Sequence, residues 1–349
     1  MSIPVPILDT HIHLYPLSEA PTLAWNRPDH PLWGQRSLAE YKSTTSSSHD
    51  LLSGFVFLET DRSNDESDPD PAGGWQHPLA EVSFLARVAA GKPRPGEGHE
   101  ASDARLCKGI VPWAPMPAGP EVLEKYIASV KEVCERDGDA ATWGKVKGFR
   151  YLLQDKPEGV MLQEGFVEAV KLLGRKGLVF DVGVDLHRRG RGQLEEAVEL
   201  VERVHRGVDD KEKTVFVLNH LCKPDLTTLN TNDPSFIAWR TAMFTLSKAD
   251  NVYMKISGCL SEMSPSLATS SPNEIFDAIA PWLAVIVAAF GPPRIMFGSD
   301  WPVCTVGVGE GAWDKWRLVV ERLCLASGFD EEETKMVFWG TGRRAYGVE

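Results

Sequence analysis

Short apolar runs punctuate the chain at Ile7–His11, Gly54–Leu58, Leu106–Trp113, Val146–Tyr151, Leu178–Val184, Thr214–Leu218, Val252–Ile256 and Arg294–Phe297. They lack regular polar alternation, which reads as strands buried on both faces, the habit of parallel sheets. The stretches between them carry helical spacing. Phe166, Val170 and Leu173 share one face, as do Leu194, Val198 and Val201, with charged residues opposite. Strand alternating with helix over this length predicts an α/β chain folded as a (β/α)8 TIM barrel, a single domain over residues 1–349 with long loops after the strands.

Three segments stand outside that alternation. Asp61–Pro78 and Gly91–Asp103 are rich in Pro, Gly and acidic residues and are expected as surface loops. The stretch Trp25–Arg36 follows the first strand and carries Trp25, Arg27, His30 and Trp33. Loops after barrel strands face the active-site end, so it reads either as a wall or lid of the pocket or as a rim loop pinned by its tryptophans.

Composition narrows the partners. The chain has 349 residues and a net charge of −12, with no basic cluster suited to nucleic acid, and the run His187–Arg191 reads as a solvated loop. No apolar run approaches the ~20 residues that span a bilayer, and the N-terminus enters a strand without a basic or apolar leader. A cytoplasmic protein with no membrane partner is expected. The six cysteines show no CxxC spacing and read as reduced structural thiols. A homo-oligomer is compatible with the sequence, though nothing in it identifies one.

The chemistry concentrates at the strand ends. LDTHIH near the N-terminus carries His11 and His13, which at i and i+2 of a strand point the same way. MFGSDWP near the C-terminus carries Asp300, between a Gly-Ser turn and a Trp-Pro stop. First and last strands are neighbours only in a closed barrel. The second strand ends in Glu59, the fourth in Arg150, the sixth in Asn219-His220 with Lys223 beyond, and the seventh carries Lys255. On one barrel rim, His11, His13, His220 and Asp300 can surround a single point. Three imidazoles and one carboxylate suit one Zn²⁺ or another borderline divalent ion with an open position. Arg150 offers a planar fork for a carbonyl or carboxylate, and Lys223 and Lys255 offer point charges, unless Lys255 pairs with a structural carboxylate. Glu59 either reaches the site or pairs with Arg62. Trp25, Trp33, Trp113 and Trp301 suit an aromatic wall for a sugar ring, and Glu59, Asp61, Asp181, Asp185 and Glu262 suit its hydroxyls.

The ordered motifs DTHIH (9–13), GIVPW (109–113), KGFRYLLQ (147–154), VLNHLCKP (217–224), KISG (255–258) and MFGSDWPV (296–303) resemble the amidohydrolase superfamily over nearly the whole chain. The resemblance is to the branch that includes the sugar-acid lactonases and the 2-pyrone-4,6-dicarboxylate lactonase. It implies a (β/α)8 hydrolase with His11, His13, His220 and Asp300 in the active site, and cations at Arg150 and Lys223 holding substrate oxygens. Binuclear members carry a carboxylated lysine or glutamate on the fourth strand and a histidine on the fifth. Here the fourth strand ends in Arg150, Lys147 has the opposite parity, and His187 lies beyond the fifth strand, which leaves one metal ion or none. With a metal, zinc is expected. Without one, Asp300 acts as base while the three histidines donate to the carbonyl oxygen.

The expected activity is carboxylic-ester hydrolysis of a small-molecule aldonolactone to the free acid, with Asp300 activating water and L-rhamnono-1,4-lactone the foremost candidate. A dicarboxylate pyrone lactonase, a metal-dependent decarboxylase, another amide or ester hydrolase and a barrel that merely binds a sugar acid are the alternatives.

Overall fold

The protein is described by a computed structural model that covers residues 4–349; residues 1–3, with which the expected domain begins, lie outside the described residues. Eight parallel strands follow in chain order: β1 (Ile7–Ile12), β2 (Leu52–Leu58), β3 (Cys107–Val111), β4 (Gly148–Leu152), β5 (Val179–Gly183), β6 (Phe216–Leu218), β7 (Val252–Ile256) and β8 (Ile295–Phe297). They form two continuous ladders, β1-β2-β3 and β4-β5-β6-β7-β8. Parallel bridges Ile110↔Val146 and Trp113↔Arg150 join the ladders at one seam, and Ile12↔Trp301 joins them at the other. At that second seam Asp300 N donates to His11 O at 2.9 Å and His13 N to Trp301 O at 2.8 Å. The ring therefore closes through Asp300 and Trp301, just beyond β8, and closure itself draws Asp300 beside the two histidines. All eight apolar runs became strands, with ends shifted by at most two residues.

Leu8, Val56, Leu58, Val111, Val179, Val217 and Met296 fill the interior, and Ala345, Tyr346 and Val348 join the same cluster. The helix Thr341–Tyr346 thus stops one end of the barrel, leaving the other end for chemistry. Long helices between the strands pack their apolar faces outside the ring, burying residues such as Phe166, Val170 and Leu173.

Several expectations need correcting. Helix Pro272–Phe290, with a mean hydropathy of 1.5, is long and apolar enough to cross a membrane. Asn273, Glu274 and Asp277 break the run in sequence, which hid it. Here it lies on β7, β8 and the helices Pro234–Leu246 and Ala312–Ala326, burying Ile275, Ile279, Trp282, Leu283 and Ile286. The Gly91–Asp103 stretch is tied inward: Arg87 Nε donates to Glu97 Oε1 at 2.9 Å, and Ser37 Oγ to Glu97 O at 2.6 Å. Asp61–Pro78 ends inside the helix that starts at Gln76. The His187–Arg191 run is not simply solvated, because His187 Nδ1 and Arg188 reach the buried Glu262 carboxylate at 2.9 and 2.7 Å. All six cysteines are free and buried.

Candidate active site

The first pair of histidines owes its aim to a bulge. Between Asp9 and Ile12 the register with β2 slips, and such a slip turns a strand's side chains relative to the pleat. Asp9 faces the outer helices, where its carboxylate accepts hydrogen bonds from Tyr41 Oη (2.9 Å), Trp313 Nε1 (2.8 Å) and Ser299 N (2.8 Å). Those bonds pin β1 to the turn that carries Asp300.

His220 is presented by an unusual backbone. Four consecutive residues, His220, Leu221, Cys222 and Lys223, have φ of 54°, 54°, 59° and 47°. A left-handed conformation costs a non-glycine residue ~1–2 kcal/mol, so the turn stands only because its surroundings fix it. Trp239 Nε1 donates to Leu221 O at 2.7 Å and His187 N to Lys223 O at 2.9 Å. Opposite the ring, Gly258 has φ +63°, and a Cβ there would lie 2.3 Å from His220 Nδ1. Asp300 itself has φ 63°.

These devices converge. Asp300 Oδ1 lies 3.5 Å from His11 Nε2, 3.5 Å from His13 Nε2 and 3.7 Å from His220 Nε2. The other nitrogen of each ring is engaged elsewhere. His13 Nδ1 donates to the carbonyls of Leu58 and Glu59, both at 2.9 Å. His11 Nδ1 lies 3.2 Å from Asn219 Oδ1, and His220 Nδ1 2.9 Å from Ser257 Oγ. Burial, then the positive charge of Lys255, holds His11 well below the ordinary imidazole range, and burial pushes His220 down to about 3. Both rings are therefore neutral near pH 7 with a lone pair to offer. Burial alone would raise Asp300, but the positive charge that His220 and His13 carry when protonated, a hydrogen bond from His13 and the charge of Lys223 outweigh it and draw the carboxyl below its ordinary range.

This donor set fits a single metal ion. The ligand atoms of His11, His220 and Asp300 lie within 4.8 Å of one another, His13 sits as close to Asp300 as His11 does, and His11 Nε2 is buried without a hydrogen-bond partner. Ligands ~2.0 Å from a tetrahedral ion stand ~3.3 Å apart, close to the spacings here.

Beside this cluster opens a cleft of about 580 Å³ whose lining includes His13, Glu59, Asp61, Arg150, Trp25 and His30. Glu59 Oε1 faces Arg150 Nε at 3.5 Å, and neither atom has a hydrogen-bond partner among the described residues. Asp61 N donates to Glu59 Oε2 at 2.5 Å. Burial raises Glu59 despite the Arg150 charge, and burial together with the Glu59 charge raises Asp61 to about 7. Trp25 donates to Thr60 O at 2.9 Å and meets the His30 ring edge-on at 4.9 Å. The Trp25–Arg36 stretch thus supplies a wall of the cleft.

Other residues singled out from sequence stand elsewhere. Lys255 is fully buried, 3.2 Å from both Asp181 oxygens, 3.3 Å from His11 Nδ1 and 5.3 Å from the centre of the Tyr346 ring. It takes the structural-carboxylate alternative and does not line the cleft. Trp301 is buried against Tyr41 and Trp113 against Tyr126, both at 5.3 Å, because their strand ends turn those rings outward into the helical layer. Neither can wall a sugar ring. Lys223 Nζ is 3.8 Å from Glu262 Oε1, close enough to bias Asp300 but outside the cleft lining. Of the five acids assigned to sugar hydroxyls, Asp181 and Glu262 are taken by cations and Asp185 caps the turn Leu186–Arg189, leaving Glu59 and Asp61. Ser257 and Tyr346 were missed. Ser257 was legible in KISG as the partner of a facing histidine, whereas nothing local marks Tyr346, whose hydroxyl donates to Asp181 from the C-terminal helix.

A strand-end histidine cluster is common to several barrel chemistries, so sequence likeness decides the family. The amidohydrolase family profile matches residues 97–348. The chain belongs to the amidohydrolase family. It is 33% identical to an L-rhamnono-gamma-lactonase of Scheffersomyces stipitis over 98% of both chains. It is 28% identical to an L-fucono-1,5-lactonase of Burkholderia multivorans, covering 78% of this chain and 84% of that one. Among solved structures, an amidohydrolase of Burkholderia multivorans with bound zinc superposes with a TM-score of 0.71 at 24% identity, over 99% of this amidohydrolase and all of that chain.

Proposed function

We propose that this amidohydrolase opens the ring of a sugar-acid lactone by hydrolysis, with L-rhamnono-1,4-lactone as the foremost substrate and a place in L-rhamnose breakdown. Full-length likeness to a rhamnonolactonase and partial likeness to a fuconolactonase support the substrate class. The observation that carries the chemistry is the Asp300 carboxyl within 3.7 Å of three imidazole nitrogens, beside a cleft with an arginine fork and two carboxyls. The whole chain, 1–349, acts as one unit in this reading. Six buried, unbridged thiols favour a reducing compartment, the cytoplasm.

His11, His13, His220 and Asp300 would hold one divalent ion, zinc by its preference for nitrogen with one oxygen. When bound, zinc supplies positive charge that polarises a carbonyl and acidifies water. The chain's own groups do the rest. Arg150 holds substrate oxygens through its guanidinium, and Glu59 and Asp61 accept from ring hydroxyls. Trp25 covers one face of the ring. Asp300 takes a proton from water as the water oxygen bonds to the lactone carbonyl carbon. The acyl–oxygen bond of the ring then breaks, and the departing ring oxygen receives that proton, giving the hydroxy acid.

Proton release from a panel of aldonolactones in weak buffer tests the reading, together with the metal content of the purified protein. Acid production above the spontaneous rate from L-rhamnono-1,4-lactone, with about one zinc per chain, is the expected result. No excess acid from any lactone, with metal supplied, would sink it.

A further inference from the structure

The cleft holds more room, and more apolar surface, than a polyhydroxylated lactone uses. A six-carbon aldonolactone fills on the order of 150–200 Å³, taking each of its non-hydrogen atoms as roughly half of a water's ~30 Å³ share. The cleft measures about 580 Å³. Its sides also differ in chemistry. His13, Glu59, Asp61 and Arg150 come from the ends of β1, β2 and β4, whereas the loops after β7 and β8 contribute Leu260, Met263, Ala268, Val303 and Val306. Those two loops touch each other. The apolar wall begins at Val303, three residues after Asp300. At its outer end Val306 is 41% exposed. Leu260, Met263 and Ala268 are already packed into the core, so the surface a ligand would newly cover lies chiefly at the Val306 end.

We propose that this wall is a subsite for an alkyl substituent on the lactone ring, so that the protein also hydrolyses γ-lactones carrying an unbranched alkyl chain. The ring lies against Arg150 and Asp300, and the chain runs along Met263 towards Val306. The reaction balances as for a sugar lactone: water adds hydroxide to the acyl carbon, the acyl–oxygen ring bond breaks, and the ring oxygen keeps the remaining proton as a 4-hydroxy acid. The proposal rests on the lactonase reading and deepens it.

The test compares kcat/KM for γ-butyrolactone, γ-valerolactone, γ-hexalactone and γ-octalactone with that for L-rhamnono-1,4-lactone, in the wild type and in Val306→Asp and Met263→Gln. Burying a methylene favours binding about threefold or more, so γ-octalactone should exceed γ-butyrolactone by several tens-fold in the wild type. Within each variant that ratio should fall at least fivefold. Val306 is exposed, so its substitution does not threaten the fold, and a ratio taken within one variant is insensitive to the folded fraction. A wild-type ratio near one, or an unchanged ratio in both variants, overturns the subsite. If only the rhamnonolactone is opened, the subsite falls and the lactonase reading stands. If no lactone is opened, both fall.

Discussion

Lys255→Met should be among the most damaging substitutions in the barrel, although Lys255 does not line the cleft. The ammonium lies 3.2 Å from both oxygens of Asp181 and both side chains are fully buried. Removing one partner of a buried ion pair leaves the other uncompensated, at a cost of about 3–5 kcal/mol. The Tyr346 hydroxyl, which donates to the same carboxylate, offsets part of this, while the lost contact of Lys255 over the Tyr346 ring adds ~1 kcal/mol. A loss of about 3–5 kcal/mol by urea denaturation is therefore expected. The pairing can be separated from mere packing. Asp181→Asn alone strands the buried ammonium and should also cost several kcal/mol, whereas Lys255→Met with Asp181→Asn removes both charges and keeps an acceptor for Tyr346. The double variant should be at least ~2 kcal/mol less damaged than the sum of the singles. Additive losses, or a Lys255→Met cost below ~1 kcal/mol, would refute the reasoning and show that the lysine is neutral or solvated in the folded protein.

Gly258→Ala is expected to cut kcat at least tenfold while stability falls by only ~1–3 kcal/mol, because the new Cβ would stand 2.3 Å from His220 Nδ1 on a left-handed backbone; steady-state kinetics beside a melting curve check it. Asp61, raised to about 7, keeps a proton in the folded state that the unfolded chain loses near 4, so its contribution to stability falls as pH rises from about 4 to 7. Asn, which tolerates the φ of 56° there, cannot ionise, so Asp61→Asn should gain stability on the wild type across that window; stability curves at pH 4, 5.5 and 7.5 would show it. Arg150→Lys replaces a planar fork by a point charge and should raise KM for a hydroxylated lactone about tenfold or more, read from initial rates.

The barrel was legible because buried parallel strands leave continuous apolar runs, and β7 was placed to the residue. The meeting of His11, His13, His220 and Asp300 was legible because strand ends on one rim converge. What the sequence concealed depends on which way a side chain turns after its strand ends. Trp301 and Trp113 look like pocket aromatics in sequence, yet the chain beyond β8 and β3 turns them outward to Tyr41 and Tyr126. Lys255 looks like a substrate cation, yet it sits one layer below the rim, where Asp181 and a tyrosine from the far C-terminus neutralise and cover it. The left-handed turn at 220–223 is invisible in composition, since none of its four residues is glycine. Helix Pro272–Phe290 hid because three polar residues interrupt its first turns.

The central claim is that Asp300 activates water for lactone opening. Its most direct test is proton release from L-rhamnono-1,4-lactone by Asp300→Asn, with circular dichroism and metal content recorded for the same preparation. The account predicts a folded protein whose rate falls at least a thousandfold, by ~4 kcal/mol in the barrier. A folded Asp300→Asn that opens the lactone within tenfold of the wild-type rate would contradict it.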